Sequence, residues 1–246
     1  MLRSCDYRYV LVDSEHVEPV TPMSWQELRY RPHIARYGED EILVIVRDRD
    51  LSNVQEAGMD VDWFDNEVAE RTKWCDFVPL VTTCTDGENG GWFRNTTEGA
   101  NFWSAFYLPF LERVRAGRSA VSPTFISDYL NMHGDHGEVR VDTGAWNTGW
   151  HNGHGFIQWT GSDRQQVALG ALGTLSAAVQ EAARRAAEQG VADDAGFQQD
   201  LEEATWRLLR AETSCNFYWG EDWVHRSDAD MAASWEALNH ARARLG

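Results

Sequence analysis

The chain has 246 residues, 43% of them hydrophobic, with 12 Trp and 10 Phe, enough for one large domain or two smaller ones, and this excludes a disordered chain. Its formal charge of −17 repels phosphate backbones and anionic membrane, so nucleic acid is not an expected partner. No window approaches the roughly 18 to 20 apolar residues of a membrane span, and Cys5, Cys75, Cys84 and Cys215 form no Cys-x-x-Cys pair, so the reading is a cytoplasmic protein with reduced, mostly buried thiols.

"YRYVLV" (7–12) reads as a short buried strand followed by the polar loop "DSEHV". "ILVIV", inside "EILVIVRDRDLS", repeats the pattern and ends at Arg47, Asp48, Arg49 and Asp50. "FVPLVTTC" is a third instance, running into Asp86 and Glu88, and "VSPTFIS" is a candidate fourth. Runs without alternation belong to parallel sheets covered on both faces by helices, and helices fit between them at residues 60 to 74 and 99 to 116. In β/α folds, polar residues that do chemistry gather at the carboxyl ends of strands, so these charged loops point to one shared site.

From about Ser162 the sequence turns Ala-rich, with three helical stretches, Gly190 at the end of the first and Ser227 or Asp228 as a cap for the last. Between the two parts lies "TGAWNTGWHNGHGFIQWTGS", rich in Gly and Trp. The expected division is therefore 1–161, β/α, and 162–246, helical. A closed barrel needs about eight strands, so the β/α part looks incomplete.

The sharpest feature is "VPLVTTCTDGENGGWFRN" (78–95), a buried run that stops at two carboxylates between glycines, with Trp92 close behind. A carboxylic acid against apolar rings has a raised pKa suited to a general acid, and rings beside carboxylates suit a sugar. A solvated Asp-Gly-Asn turn is the plain alternative. A second landmark, "LLRAETSCNFYWGEDW" (208–223), ends a helix in Glu212, Asn216, Phe217, Tyr218, Trp219 and Trp223. Core packing accounts for some of these rings, and less well for Glu212 and Asn216.

Together, "TDGEN" with its tryptophan and "AETSCNFYWG" resemble the last two motifs of glycoside hydrolase family 57, and "YVLVDSEHV" and "VIVRDRDLS" resemble its preceding barrel strands. The resemblance implies retaining α-glucan chemistry and the C-terminal strands of an incomplete seven-stranded β/α barrel, followed by a helical region that closes over the cleft. It makes Asp86 the general acid/base and Glu88 its companion. It assigns Trp92, Trp219, Tyr218 and Glu212 to substrate contacts, and more weakly Asp13, His16, Arg47 and Asp48. No cofactor and no metal is implied.

A retaining glycosidase needs two carboxyl groups about 5 to 5.5 Å apart. The family's nucleophile motif, a tryptophan and glutamate on an earlier strand, does not occur here, and neither does its His-Gln-Pro motif. Trp25 and Glu27 in "MSWQELRYRP" are read as a loop and a poor substitute. The expectation is the C-terminal half of such a protein: a truncated product, one subunit of a split enzyme whose partner chain carries the nucleophile, or a degenerate relative, and inactive or nearly so alone. The residues at Cys215 and Asn216, acidic in many relatives, leave hydrolysis or transfer open. Rival readings are a non-catalytic carbohydrate-binding or regulatory protein and a metal-dependent hydrolase built on the His-x-x-His pairs His133/His136 and His151/His154.

Overall fold

The structure is a computed structural model describing residues 2–85, 87, 101–145, 148–149, 153 and 155–245. It divides into two compact units, Met1–Trp150 and His151–Gly246.

The first unit is mixed α/β. Strands β1 (Tyr9–Asp13), β3 (His33–Tyr37) and β4 (Asp40–Arg47) form a sheet in the order β1-β4-β3; β2 (Val17–Pro19) and β5 (Val139–Val141) form an antiparallel pair. Among the described residues these strands close no barrel. The run "ILVIV" is the centre of β4, covered on both faces as its lack of alternation demands. Val44 and Val46 pack with Val17 and Val139 on one side, and Ile45 packs with Leu80, Tyr129 and Leu130 on the other. Each such side chain contributes about 1.5 to 3 kcal/mol by leaving water.

Four expectations need correcting in this unit. β4 pairs parallel to β1 but antiparallel to β3, through the two-residue turn Gly38-Glu39, where Gly38 supplies φ 59°. "FVPLVTTC" is not a strand: only Thr82 makes a bridge, to Arg47, and Pro79 deprives the run of a ladder donor. "VSPTFIS" is irregular through Phe125 and then opens helix α5 (Ile126–His133). "SWQELRY" is not a loop but helix α1 (Trp25–Tyr30), fixed by a capping box in which Ser24 and Glu27 satisfy each other's backbone N–H. The cysteines also differ from expectation: all four are free, but Cys5, Cys84 and Cys215 are exposed and Cys75 is half-buried.

Helices α2 (Arg49–Glu56), α3 (Val61–Thr72) and α4 (Leu108–Arg115), the last entered through a π-helical turn at Trp103–Tyr107, share a satellite core. Phe64 meets Phe106 edge-on at 5.2 Å and Phe110 at 5.7 Å, the arrangement that ring quadrupoles favour.

The second unit is helical: α6 (Ile157–Thr160), α7 (Asp163–Gln189), α8 (Ala195–Ala211), α9 (Cys215–Tyr218) and α10 (Val224–Ala243). α7 starts on a Ser162–Gln165 capping box and stops at Gly190, φ 71°, as its composition predicts. α8 and α10 run antiparallel, tied by two buried hydroxyls: Ser227 donates to Ala211 O (3.0 Å) and Ser234 to Ala204 O (2.7 Å). Ser227 is thus inside α10 rather than its cap, because the helix begins earlier, out of a 3-10 turn at Glu221–Trp223. Alanines at 182, 186, 204 and 241 are fully buried where the helices approach, leaving Leu175, Phe197, Leu208 and Leu238 to fill the core.

Candidate functional site

Because β1 and β4 run parallel with Asp13 opposite Arg47, both strands deliver a charged residue to the same end of the sheet. A third segment reaches that end. Thr82 bridges to Arg47, Asp48 N donates to Thr82 O (2.9 Å), and Cys84 is held from both sides, its N–H by Ser52 Oγ (3.1 Å) and its carbonyl by Arg47 Nε (2.7 Å). Two residues on comes Asp86, which with Glu88 and Trp92 lies outside the described residues, as do Trp146, Trp150, His151 and His154.

At the strand ends the charges interlock. Asp13 Oδ2 accepts from Arg47 Nη1 at 2.6 Å and from Arg49 Nη1 at 3.3 Å, and Arg49 Nε reaches Glu15 at 3.5 Å. Arg47 also donates to Asn53 Oδ1 (3.2 Å). Two guanidiniums and two carboxylates therefore share a largely buried, nearly neutral cluster, the setting in which charge pairs are least screened. Ser14 Oγ and Glu15 Oε2 are buried there with no hydrogen-bond partner among the described residues.

His16 sits beside this cluster, with Nε2 2.9 Å from Ala145 O and 3.3 Å from Thr148 Oγ1. Gly144 allows that approach: a Cβ there would lie 2.7 Å from His16 Cε1. Asp48 is placed differently. It is fully buried, caps α2 through Leu51 N (3.0 Å), accepts from Tyr30 Oη (2.8 Å) and pairs with Arg71 (3.2 Å). Burial and the adjacent Asp48 carboxylate push the Tyr30 phenol far above its ordinary pKa, so it stays a donor. Every lone pair that Asp48 could offer a sugar is directed into the fold.

Glu27 is likewise committed, with Oε2 accepting from Ser24 N (2.7 Å) and Oε1 3.1 Å from His136 Nε2. Its carboxyl is held below the usual range, first by the Ser24 N–H. His136 Nδ1 meets Arg31 Nη1 at 2.7 Å, and His133 packs on Tyr129 at 4.5 Å between ring centroids, so this His-x-x-His pair does not converge on a common point. Among the described residues no group of three His, Cys, Asp or Glu could hold a metal ion, and no helix is long and apolar enough to cross a membrane.

In the helical unit, Trp219 is 60% exposed and Tyr218 meets it edge-on at 4.8 Å. The rings continue through Trp159, 5.5 Å from Tyr218, and Trp223, 6.3 Å from Trp219. Glu212 is exposed at the C-cap of α8. Asn216 is buried for a structural reason: its Nδ2 donates to Arg210 O (3.0 Å) and Ala211 O (3.2 Å), closing the end of α8. Sequence reading missed Glu15 and Arg49 as members of this cluster; Glu15 lies in the 3-10 turn after β1 and Arg49 opens α2, so strand alternation does not reveal their meeting.

No protein-family model matches the sequence, and no curated protein matches it. Its fold does have a counterpart. Over 100% of its length the chain matches 40% of the crystal structure of 4-α-glucanotransferase from Thermococcus litoralis, with a TM-score of 0.50 and 16% identity. The likeness is one of fold, and the chain spans well under two thirds of that enzyme.

Proposed function

We propose that the chain is a family 57-like glycoside hydrolase component acting on α-glucans, with Asp86 as general acid/base and the β1/β4 strand ends as one wall of the sugar site. The observation that carries the proposal is the fold likeness of the whole chain to part of a 4-α-glucanotransferase, one of the enzyme types in the family that "TDGEN" and "AETSCNFYWG" resemble. The strand pair β1–β4, with the 82–85 segment beside it, is read as part of an incomplete barrel.

In the proposed reaction Asp86 protonates the leaving glycosidic oxygen while a glutamate attacks C1, forming a glycosyl ester with inversion. Asp86 then takes a proton from water, giving hydrolysis, or from a sugar hydroxyl, giving transfer, as attack on C1 restores the configuration. Asp13 and Glu15, paired with Arg47 and Arg49, are the proposed acceptors for sugar hydroxyls at the strand ends. In the helical unit, Trp219 with Tyr218 is proposed through its own motif to offer ring faces to the apolar side of a pyranose. Glu88 and Trp92 belong to the same reading through their motif, and Glu212 through the second motif.

The attacking glutamate is not identified in this sequence: the family's motif for it does not occur, and Glu27 is spent in a capping box and paired with His136. Its source is proposed to be a segment carrying the earlier barrel strands, in the same polypeptide or a separate chain. The same observation favours a second reading, a carbohydrate-binding protein without turnover. Assaying the chain on maltooligosaccharides with and without that segment separates them. Turnover restored by the segment and abolished by Asp86→Asn supports the enzyme; binding without turnover in both conditions supports the binder; no binding in either refutes both.

A further inference from the structure

The helical unit carries a feature that the glucan reading leaves unused. Between the end of α8 and the start of α10 lies an open cavity of about 580 Å³ whose wall includes Arg207, Arg210, His225, Arg226, Asp230 and Cys215. In a chain of formal charge −17, three arginines on one concavity are a local reversal of sign.

We propose that this cavity binds the phosphate group of a small phosphorylated metabolite. Asp230 bridges two of the guanidiniums, lying 3.4 Å from Arg207 Nη1 and 3.3 Å from Arg210 Nε, so both are held on the same wall. Glu203 takes Arg207 Nε at 2.7 Å. Three arginines against these two carboxylates leave one net positive charge on the wall, opposite in sign to a phosphate monoester carrying about −1.5 to −2 near neutral pH. Arg226 is positioned rather than paired: its guanidinium carbon stands 3.9 Å over the Trp223 ring, and it makes no ion pair among the described residues. His225 Nδ1 is 2.7 Å from Asp222 O, which leaves Nε2 as the ring nitrogen for a ligand.

The location reinforces the composition. His225 and Arg226 occupy the first turn of α10, directly after the 3-10 turn that carries Glu221 and Asp222, so both basic side chains are fixed at one mouth of the cavity. An extended polyanion is disfavoured by the neighbouring groove on the same two helices, lined by Asp200, Glu202, Glu203 and Glu236. A compact dianion fits both facts.

The test is calorimetric titration of the full chain with glucose 6-phosphate, inorganic phosphate and, as control, glucose. Both phosphate probes bind and glucose does not; Arg210→Ala and Arg226→Ala each weaken binding on the order of tenfold or more, while Arg184→Ala, an exposed arginine of α7, leaves it unchanged. A readout independent of variant folding is alkylation mapped by mass spectrometry, with phosphate slowing modification of Cys215 but not of Cys5. Absence of binding at millimolar probe, equal loss in Arg184→Ala, or no protection of Cys215 overturns the proposal. Failure of maltooligosaccharide binding would not touch it, because the probes and residues are separate.

Discussion

Replacing Asp48 by Asn separates two roles for a carboxylate at the end of a central strand: sugar contact or internal clamp. The substitution keeps the volume and removes the charge. One group then ceases to neutralise Arg71 at 3.2 Å, and the amide can no longer accept on both sides from Leu51 N, Tyr30 Oη and Arg71. Breaking a buried charge pair costs about 3 to 5 kcal/mol. Stranding a buried hydroxyl costs about 1 to 3, and weakening a cap about 1. These share one carboxylate and do not add, so the expected loss is about 4 kcal/mol. Since the chain has two units, the assay is native-state hydrogen exchange at Val44, Ile45 and Val46, which reports on the α/β unit alone. A loss of that size speeds their exchange by roughly a thousandfold, or abolishes protection. Tyr30→Phe, which removes a single donor to a charged acceptor, costs about 1.5 to 3 kcal/mol. If Asp48→Asn changes exchange less than about tenfold yet reduces maltooligosaccharide affinity, the clamp is wrong and Asp48 belongs to the cleft.

Gly144→Ala drives a Cβ to 2.7 Å from His16 Cε1 and 2.8 Å from Thr148 Oγ1, so it destabilises the α/β unit by about 1 to 3 kcal/mol and shifts the His16 ring resonances; unchanged resonances contradict the packing. His33 is fully buried, and burial lowers its pKa despite its contacts with Leu28 O and His136 O. The unfolded chain therefore takes the proton first. Stability is complete above the ordinary histidine range near about 6.5 and declines as pH falls from there toward the lower folded value; a denaturation series in which His33→Gln flattens the decline checks this. Gln165→Leu removes bonds to Gln158 O (2.9 Å) and Phe217 O (2.8 Å) plus half of a capping box, and lowers the helical unit's stability by about 2 kcal/mol in exchange at α7. Trp219→Ala, at an exposed ring, leaves stability within about 0.5 kcal/mol and weakens maltooligosaccharide binding several-fold.

Where a local signal decided the structure, the sequence was readable. "ILVIV" is buried on both faces, and Ser162 and Gly190 bound α7 because caps act within one turn. The α1 start was equally visible as Ser-x-x-Glu, but a pairing of Trp25 with Glu27 drew attention to chemistry instead of to the cap. Other features depended on partners distant in the chain. "FVPLVTTC" has strand composition, yet Pro79 and a single bridge to Arg47 leave it irregular. Asp48 looks identical to Asp13 in sequence; only Tyr30 and Arg71, brought in from α1 and α3, divert it into the interior. Asn216 was suspicious as a polar residue among rings, and its reason is the open end of α8.

The most direct test of the account is calorimetric titration of maltoheptaose into the purified chain alongside Arg47→Ala. Arg47 carries the junction of β4, Asp13 and Cys84. Saturable binding that weakens at least several-fold in Arg47→Ala is the predicted result. A folded chain that takes up no maltoheptaose at millimolar concentration, alone or with the segment carrying the earlier strands, would contradict the α-glucan assignment.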